Sequence, residues 1–113
     1  MGATTQRMLE RSITVDNVTA TVLWGDAEDG VLNGGTSLCA SFDNTDPANA
    51  VTVSIWVQAT IDAPFIANTA TVPCPANTKT RIDITGIVGY AARLTGLAAA
   101  APVVAKVAVQ VQQ

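Results

Sequence analysis

The stretch Val51-Thr-Val-Ser-Ile-Trp-Val-Gln58 decides the fold class. Val51, Val53, Ile55 and Val57 fall on one side of an extended chain, and Thr52, Ser54, Trp56 and Gln58 on the other, because successive strand side chains point to opposite faces. This alternation marks a half-buried strand and not a helix. Working outward, the same period returns. Thr36 to Asp43 sets Leu38, Ala40 and Phe42 against Ser37, Cys39 and Ser41. Lys79 to Thr85 sets Ile82 and Ile84 against Arg81 and Asp83, and Tyr90 to Thr95 sets Tyr90, Ala92 and Leu94 against Ala91, Arg93 and Thr95. The last segment, Val103 to Gln112, places Val103, Ala105, Val107, Val109 and Val111 on one face. Upstream, Ser12 to Asp16 and Val18 to Trp24 read as strand, with Val18, Ala20, Val22 and Trp24 expected inward. A short strand is expected from Asn68 to Val72, stopping at Pro73-Cys-Pro75 where backbone donors are missing.

Seven or eight short strands follow from this reading, each with one apolar and one polar face. Antiparallel sheets read this way, whereas parallel sheets read as continuous apolar runs. Two such sheets bury their apolar faces against each other, which predicts an all-β, single antiparallel β-sandwich, jelly-roll or immunoglobulin-like. A closed barrel is the main rival. The sandwich is expected over residues 12–113, preceded by a short N-terminal arm at 1–11 of mildly helical character.

Composition removes several classes of function. Hydrophobic residues make up 49% and charged residues 13% of the 113, where a typical domain carries about 25% charged; a disordered chain shows the opposite balance. Net charge is −3, and the six Lys and Arg are scattered, so the clustered basic excess of a nucleic-acid binder is missing. The chain has no histidine, which removes Ser-His-Asp and Cys-His catalysis and His-ligated zinc. The longest apolar run, Leu97 to Ala105, has nine residues and contains Pro102; a spanning helix needs about 20. No apolar segment follows the first basic residues, so synthesis in the cytosol, without a secretory signal and without a membrane partner, is the expectation.

The remaining chemistry is thin. Cys39 and Cys74 are too few for a disulfide framework or a Cys-only zinc site. Pairing would close a loop of 36 residues and stabilise the fold by about 3–4 kcal/mol, but a reducing cytosol favours two free thiols. Asp26-Ala-Glu-Asp29-Gly30 could hold calcium, yet it lacks the ligand spacing of an EF-hand loop and reads better as a solvated acidic loop. Asp43-Asn-Thr-Asp46 before Pro47 reads as a turn. Asp62 and Asp83 are carboxylates without a spacing that selects them as an acid–base pair. No catalytic residue, metal site or cofactor is expected, and the chain is read as not an enzyme.

What stands out is the surface. Its polar faces are largely Thr, Ser, Ala, Asn and Gln, and two loops, Ala63 to Ala67 and Leu97 to Pro102, are apolar. Such a surface suits close packing against a neighbour, because lysine and glutamate are costly to bury. The expected partner-binding residues are Arg7, Met8 and Arg11 of the arm, Phe65 and Ile66 of the first apolar loop, and the outward Trp56.

Val51-Thr-Val-Ser-Ile-Trp-Val-Gln58, Val72-Pro-Cys-Pro-Ala-Asn-Thr-Lys-Thr-Arg-Ile-Asp-Ile84 and Gly89-Tyr-Ala-Ala-Arg-Leu-Thr-Gly96, with the Val-rich end, resemble small β-sandwich virion proteins of tailed bacteriophages. The resemblance covers about 60 residues; the chain departs from it at Cys74-Pro75 and at Ala91-Ala92 before Arg93. It implies a virion component, either a decoration (cement) protein or a tail-associated subunit. The partners would be the major capsid protein or other virion subunits, with homo-oligomers expected. A small carbohydrate- or ligand-binding module is the second reading, favoured if Trp56 and Phe65 share one exposed face or if Asp26 and Asp29 hold calcium.

Overall fold

The computed structural model describes residues 5–7, 10–25, 36–67, 71–87 and 89–112. Within them ten strands run β1 (Thr5–Arg7), β2 (Arg11–Val15), β3 (Thr21–Trp24), β4 (Thr36–Asn44), β5 (Val51–Gln58), β6 (Phe65–Ala67), β7 (Val72–Cys74), β8 (Thr78–Ile87), β9 (Ala91–Ala98) and β10 (Val103–Gln112). They form two five-stranded antiparallel sheets. One is ordered β1-β10-β4-β8, with β2 beside β1 on β10; the other is β3-β9-β5-β6, with β7 beside β6 on β5. The pairs nest: β2 with β10, β3 with β9, β4 with β8, and β5 with β6 and β7. A long hairpin ribbon folded over on itself gives this pattern, so the sandwich is a jelly roll and not immunoglobulin-like.

The alternating residues meet between the sheets. Leu38, Ala40, Phe42, Ile82, Val103, Ala105, Val107 and Val109 from the first sheet pack against Leu23, Trp24, Val51, Val53, Ile55, Ala92, Leu94 and Ala98 from the second. All are buried. The strand faces read from β4, β5, β8 and β10 are therefore correct wherever the structure describes them.

Four expectations need correction. Strand number rises from seven or eight to ten because β1 and β6 are three-residue edge pieces, too short to show alternation. Residues 5–7, expected in a mildly helical arm, are β-strand paired with Gln110–Gln112 of the same chain. Of the strand expected at Asn68 to Val72, residues 68–70 lie outside the described residues. The strand that is described, Val72–Cys74, does not stop at Pro73 but runs through it; β7 pairs only with β5 among the described strands, and an edge position tolerates the missing donor. Finally, the inward face of the Val18–Trp24 segment is misplaced. A register shift between Val22 and Trp24 buries Leu23 and Trp24 together, while Val18 is exposed. A bulge of this kind breaks the period on which parity reasoning depends.

One end of the sandwich is tied by a buried asparagine. Asn44, at the end of β4, is fully buried; its Nδ2 donates to the Asn49 carbonyl at 2.9 Å and to the Cys74 carbonyl at 3.2 Å, and its Oδ1 accepts from the Asp46 amide at 3.0 Å. Asp46 in turn accepts from the Ala48 and Asn49 amides at 2.8 Å each. Those two bonds hold its carboxyl below the usual carboxylate range. The cluster is the turn read from the sequence.

Candidate interaction surfaces

The outer face of the β3-β9-β5-β6 sheet gathers the aromatic residues that the sequence left outward. Trp56 lies opposite Arg93 across β5 and β9, and Phe65 lies opposite Gln58 on β6. The indole Nε1 donates to Thr95 Oγ1 at 2.9 Å. The Arg93 guanidinium sits over the Phe65 ring, 4.1 Å from its centre, a cation–π contact. Arg93 Nε is buried and finds no hydrogen-bond partner among the described residues. Together with Ala20 and Val22 these groups line a shallow hollow of about 300 Å³. It holds aromatic surface, one cation and one hydroxyl, with no nucleophile and no carboxylate. Such a surface can seat a neighbour's side chains; it offers no acid–base pair.

The opposite face, on the β1-β10-β4-β8 sheet, carries a polar hollow of about 380 Å³ lined by Ser37, Cys39, Arg81, Asp83, Thr85 and Gln110 among others. Asp83 faces Cys39 across β4 and β8. Accepting a hydrogen bond from the thiol, and lying beside it as a negative charge, Asp83 pushes the Cys39 pKa up; partial burial adds to this. The same bond, with Arg81, holds Asp83 low. Arg81 Nε meets Asp83 at 2.8 Å, but both side chains are well exposed, so the pair adds little to stability. Cys74 is buried in the core, and burial raises its pKa as well.

Both cysteines are free. Cys39 projects from the outer face of its sheet while Cys74 lies inside the sandwich, so they cannot meet without unfolding. Both stay protonated at neutral pH, which makes them poor nucleophiles. Titration with an aromatic disulfide should therefore label one thiol per native chain, more slowly than free cysteine, and two in denaturant. Two fast native thiols would contradict the assigned positions.

The sequence-predicted contact residues that the structure describes do not form one site. Trp56 and Phe65 come together on the outer face of the second sheet. Ile66 is 65% exposed at the same edge, opposite Val57 on the reverse side of β6. Arg11 instead donates to the Leu23 carbonyl at 2.8 Å and so ties β2 to β3 across the two sheets. Arg7 stands opposite Gln110 in β1; Met8 lies outside the described residues, as does the acidic loop Asp26 to Gly30. Asp62 sits in the loop after β5, whereas Asp83 is on the other sheet, so they make no pair. Among the described residues no three potential metal ligands cluster. Sequence reasoning missed Arg93 and Thr95 as partners of the aromatics, because only the β5–β9 register brings them there.

No family model matches the chain, and no curated protein does. Among solved structures, it is similar to a chain from Bacillus endospore appendages, described as a novel family of disulfide-linked pili. The match covers 97% of this chain and 89% of that one, with a TM-score of 0.57 and 11% identity. At that identity the likeness establishes a shared fold.

Proposed function

We propose that this chain is a non-enzymatic structural subunit: a decoration protein of a tailed-phage virion that bridges neighbouring capsid subunits and stabilises the particle. Binding only to the assembled form would raise its stability by mass action. The observation that supports this reading most is the outer face of the second sheet. There Trp56, Phe65 and Arg93 converge, with the exposed Ile66 on the reverse side of the adjoining edge strand, and Trp and Arg are the residue types most enriched at interface hot spots. A pilus chain of similar fold is in keeping with a subunit role. In this reading the chain works in or on the virion after synthesis in the host cytoplasm, with protein partners and no cofactor, nucleic acid or membrane.

The test is binding of the purified chain to capsids. Ile66→Asp places a charge where the parent is exposed, so folding should be unaffected; capsid affinity should fall about 30-fold, as for loss of a 2 kcal/mol contact. Unchanged affinity in Trp56→Ala would remove this face from the interface, and unchanged affinity in Ile66→Asp would remove the adjoining β6 edge.

A glycan-binding role has one observation in its favour, the shared face of Trp56 and Phe65. Against it, the guanidinium of Arg93 covers one face of the Phe65 ring, so Trp56 alone would have to serve as the stacking platform.

A further inference from the structure

We propose that β8 is a self-pairing edge, joining two copies of this chain about a two-fold axis at Ile82 into one continuous sheet. Among the described strands β8 pairs only with β4, so no described strand occupies its other side. It has ten residues, contains no proline, and keeps a regular register with β4 from Thr78 to Ile84. An open edge of that length presents a row of unpaired backbone donors and acceptors, a template for another strand. The remaining edges are shorter: β1 has three residues and β2 five, β3 has four and a register shift, and β6 and β7 have three each, with Pro73 in the latter.

The sequence of the edge selects the partner and the register. In an antiparallel pair centred on Ile82, Ile82 meets its own copy, Arg81 meets Asp83 of the second copy and Asp83 meets its Arg81. Thr80 then lies opposite Ile84, and Lys79 opposite Thr85, so every residue keeps the face it has in the single chain. Centring the pair on Arg81 or on Asp83 would instead set two like charges face to face, and a one-residue slip would put apolar residues opposite outward ones. Arg81 and Asp83 already touch within one chain; across the axis they become a four-charge network. Charges on an open edge commonly guard it against association, but this arrangement repels the registers centred on Arg81 and Asp83 and pairs opposite charges in the one centred on Ile82. The contact is isologous, as a two-fold dimer requires.

This inference deepens the subunit reading and rests on it. Its test is the dimer dissociation constant from sedimentation equilibrium at low salt, for the parent, Arg81→Asp, Asp83→Arg and the double swap. Both substituted positions are exposed, and melting temperatures check that the domain is intact. Each single reversal places like charges opposite twice and should weaken the dimer about tenfold or more. The double swap restores both pairs and should return the constant to within about threefold of the parent. Lys79→Glu, facing Thr85, should leave it nearly unchanged. An oligomer indifferent to the reversals, or a double swap as weak as the singles, overturns the β8 assignment while leaving the subunit reading in place. A parent that stays monomeric at every concentration also overturns it; capsid binding by that monomer would then preserve the decoration role.

Discussion

Phe42→Ala is expected to lower the stability of the folded chain by about 3–5 kcal/mol. Phe42 is fully buried near the C-terminal end of β4, the strand held by β10 on one side and β8 on the other. It lies opposite Val107 of β10 and Thr80 of β8, within the core cluster that both sheets share, whose side chains are mostly small or branched. They have little room to collapse into the space a ring would leave, so the cost should fall at the upper end of the range. In a thermal melt this corresponds to a drop of more than 10 °C for a domain of this size. Phe42→Leu, which keeps most of the volume, should lose less than half as much. A loss below 1 kcal/mol for the alanine variant would mean that the two sheets do not pack through this residue.

Asn44→Ala should cost about 3 kcal/mol, from polar loss and not from volume. The amide serves three backbone groups at once, the carbonyls of Asn49 and Cys74 and the amide of Asp46. Removing it strands them in a buried position, and each unsatisfied group costs about 1–3 kcal/mol unless water reaches it. Asn44→Asp makes the sharper comparison. The substituted carboxylate could still accept from Asp46 but has no proton for the two carbonyls. Its pKa should rise in the fold, so the variant should be most stable below the ordinary carboxylate pKa and lose stability as pH rises through and beyond it. Denaturant melts at several pH values would show this. A variant equally stable at acid and neutral pH would contradict the bonding described at Asn44.

How much of this was legible in the sequence depended on length and regularity. β4, β5 and β10 run eight to ten residues with unbroken alternation, and their inward faces could be read directly. Trp56 was correctly placed outward for the same reason. β3 misled because its register shift turns Val22 outward and buries Leu23 beside Trp24; a four-residue strand with a bulge has no period to read. Asn44 looked like an ordinary turn residue, since nothing local shows that Cys74, distant in sequence, supplies one of its acceptors. The outer-face cluster was half visible. Trp56 and Phe65 could be singled out as aromatics, but Arg93 joins them only through cross-strand register. The choice of jelly roll likewise came from nested pairing, which strand patterns alone do not encode.

Whether the chain works inside an assembly is decided by sedimentation velocity. The purified chain would be run alone across a range of concentrations and then mixed with phage capsids lacking it. Concentration-dependent self-association and co-sedimentation with capsids at a fixed, saturable stoichiometry are expected. A monomer at every concentration that leaves the capsid boundary unchanged would contradict the subunit reading.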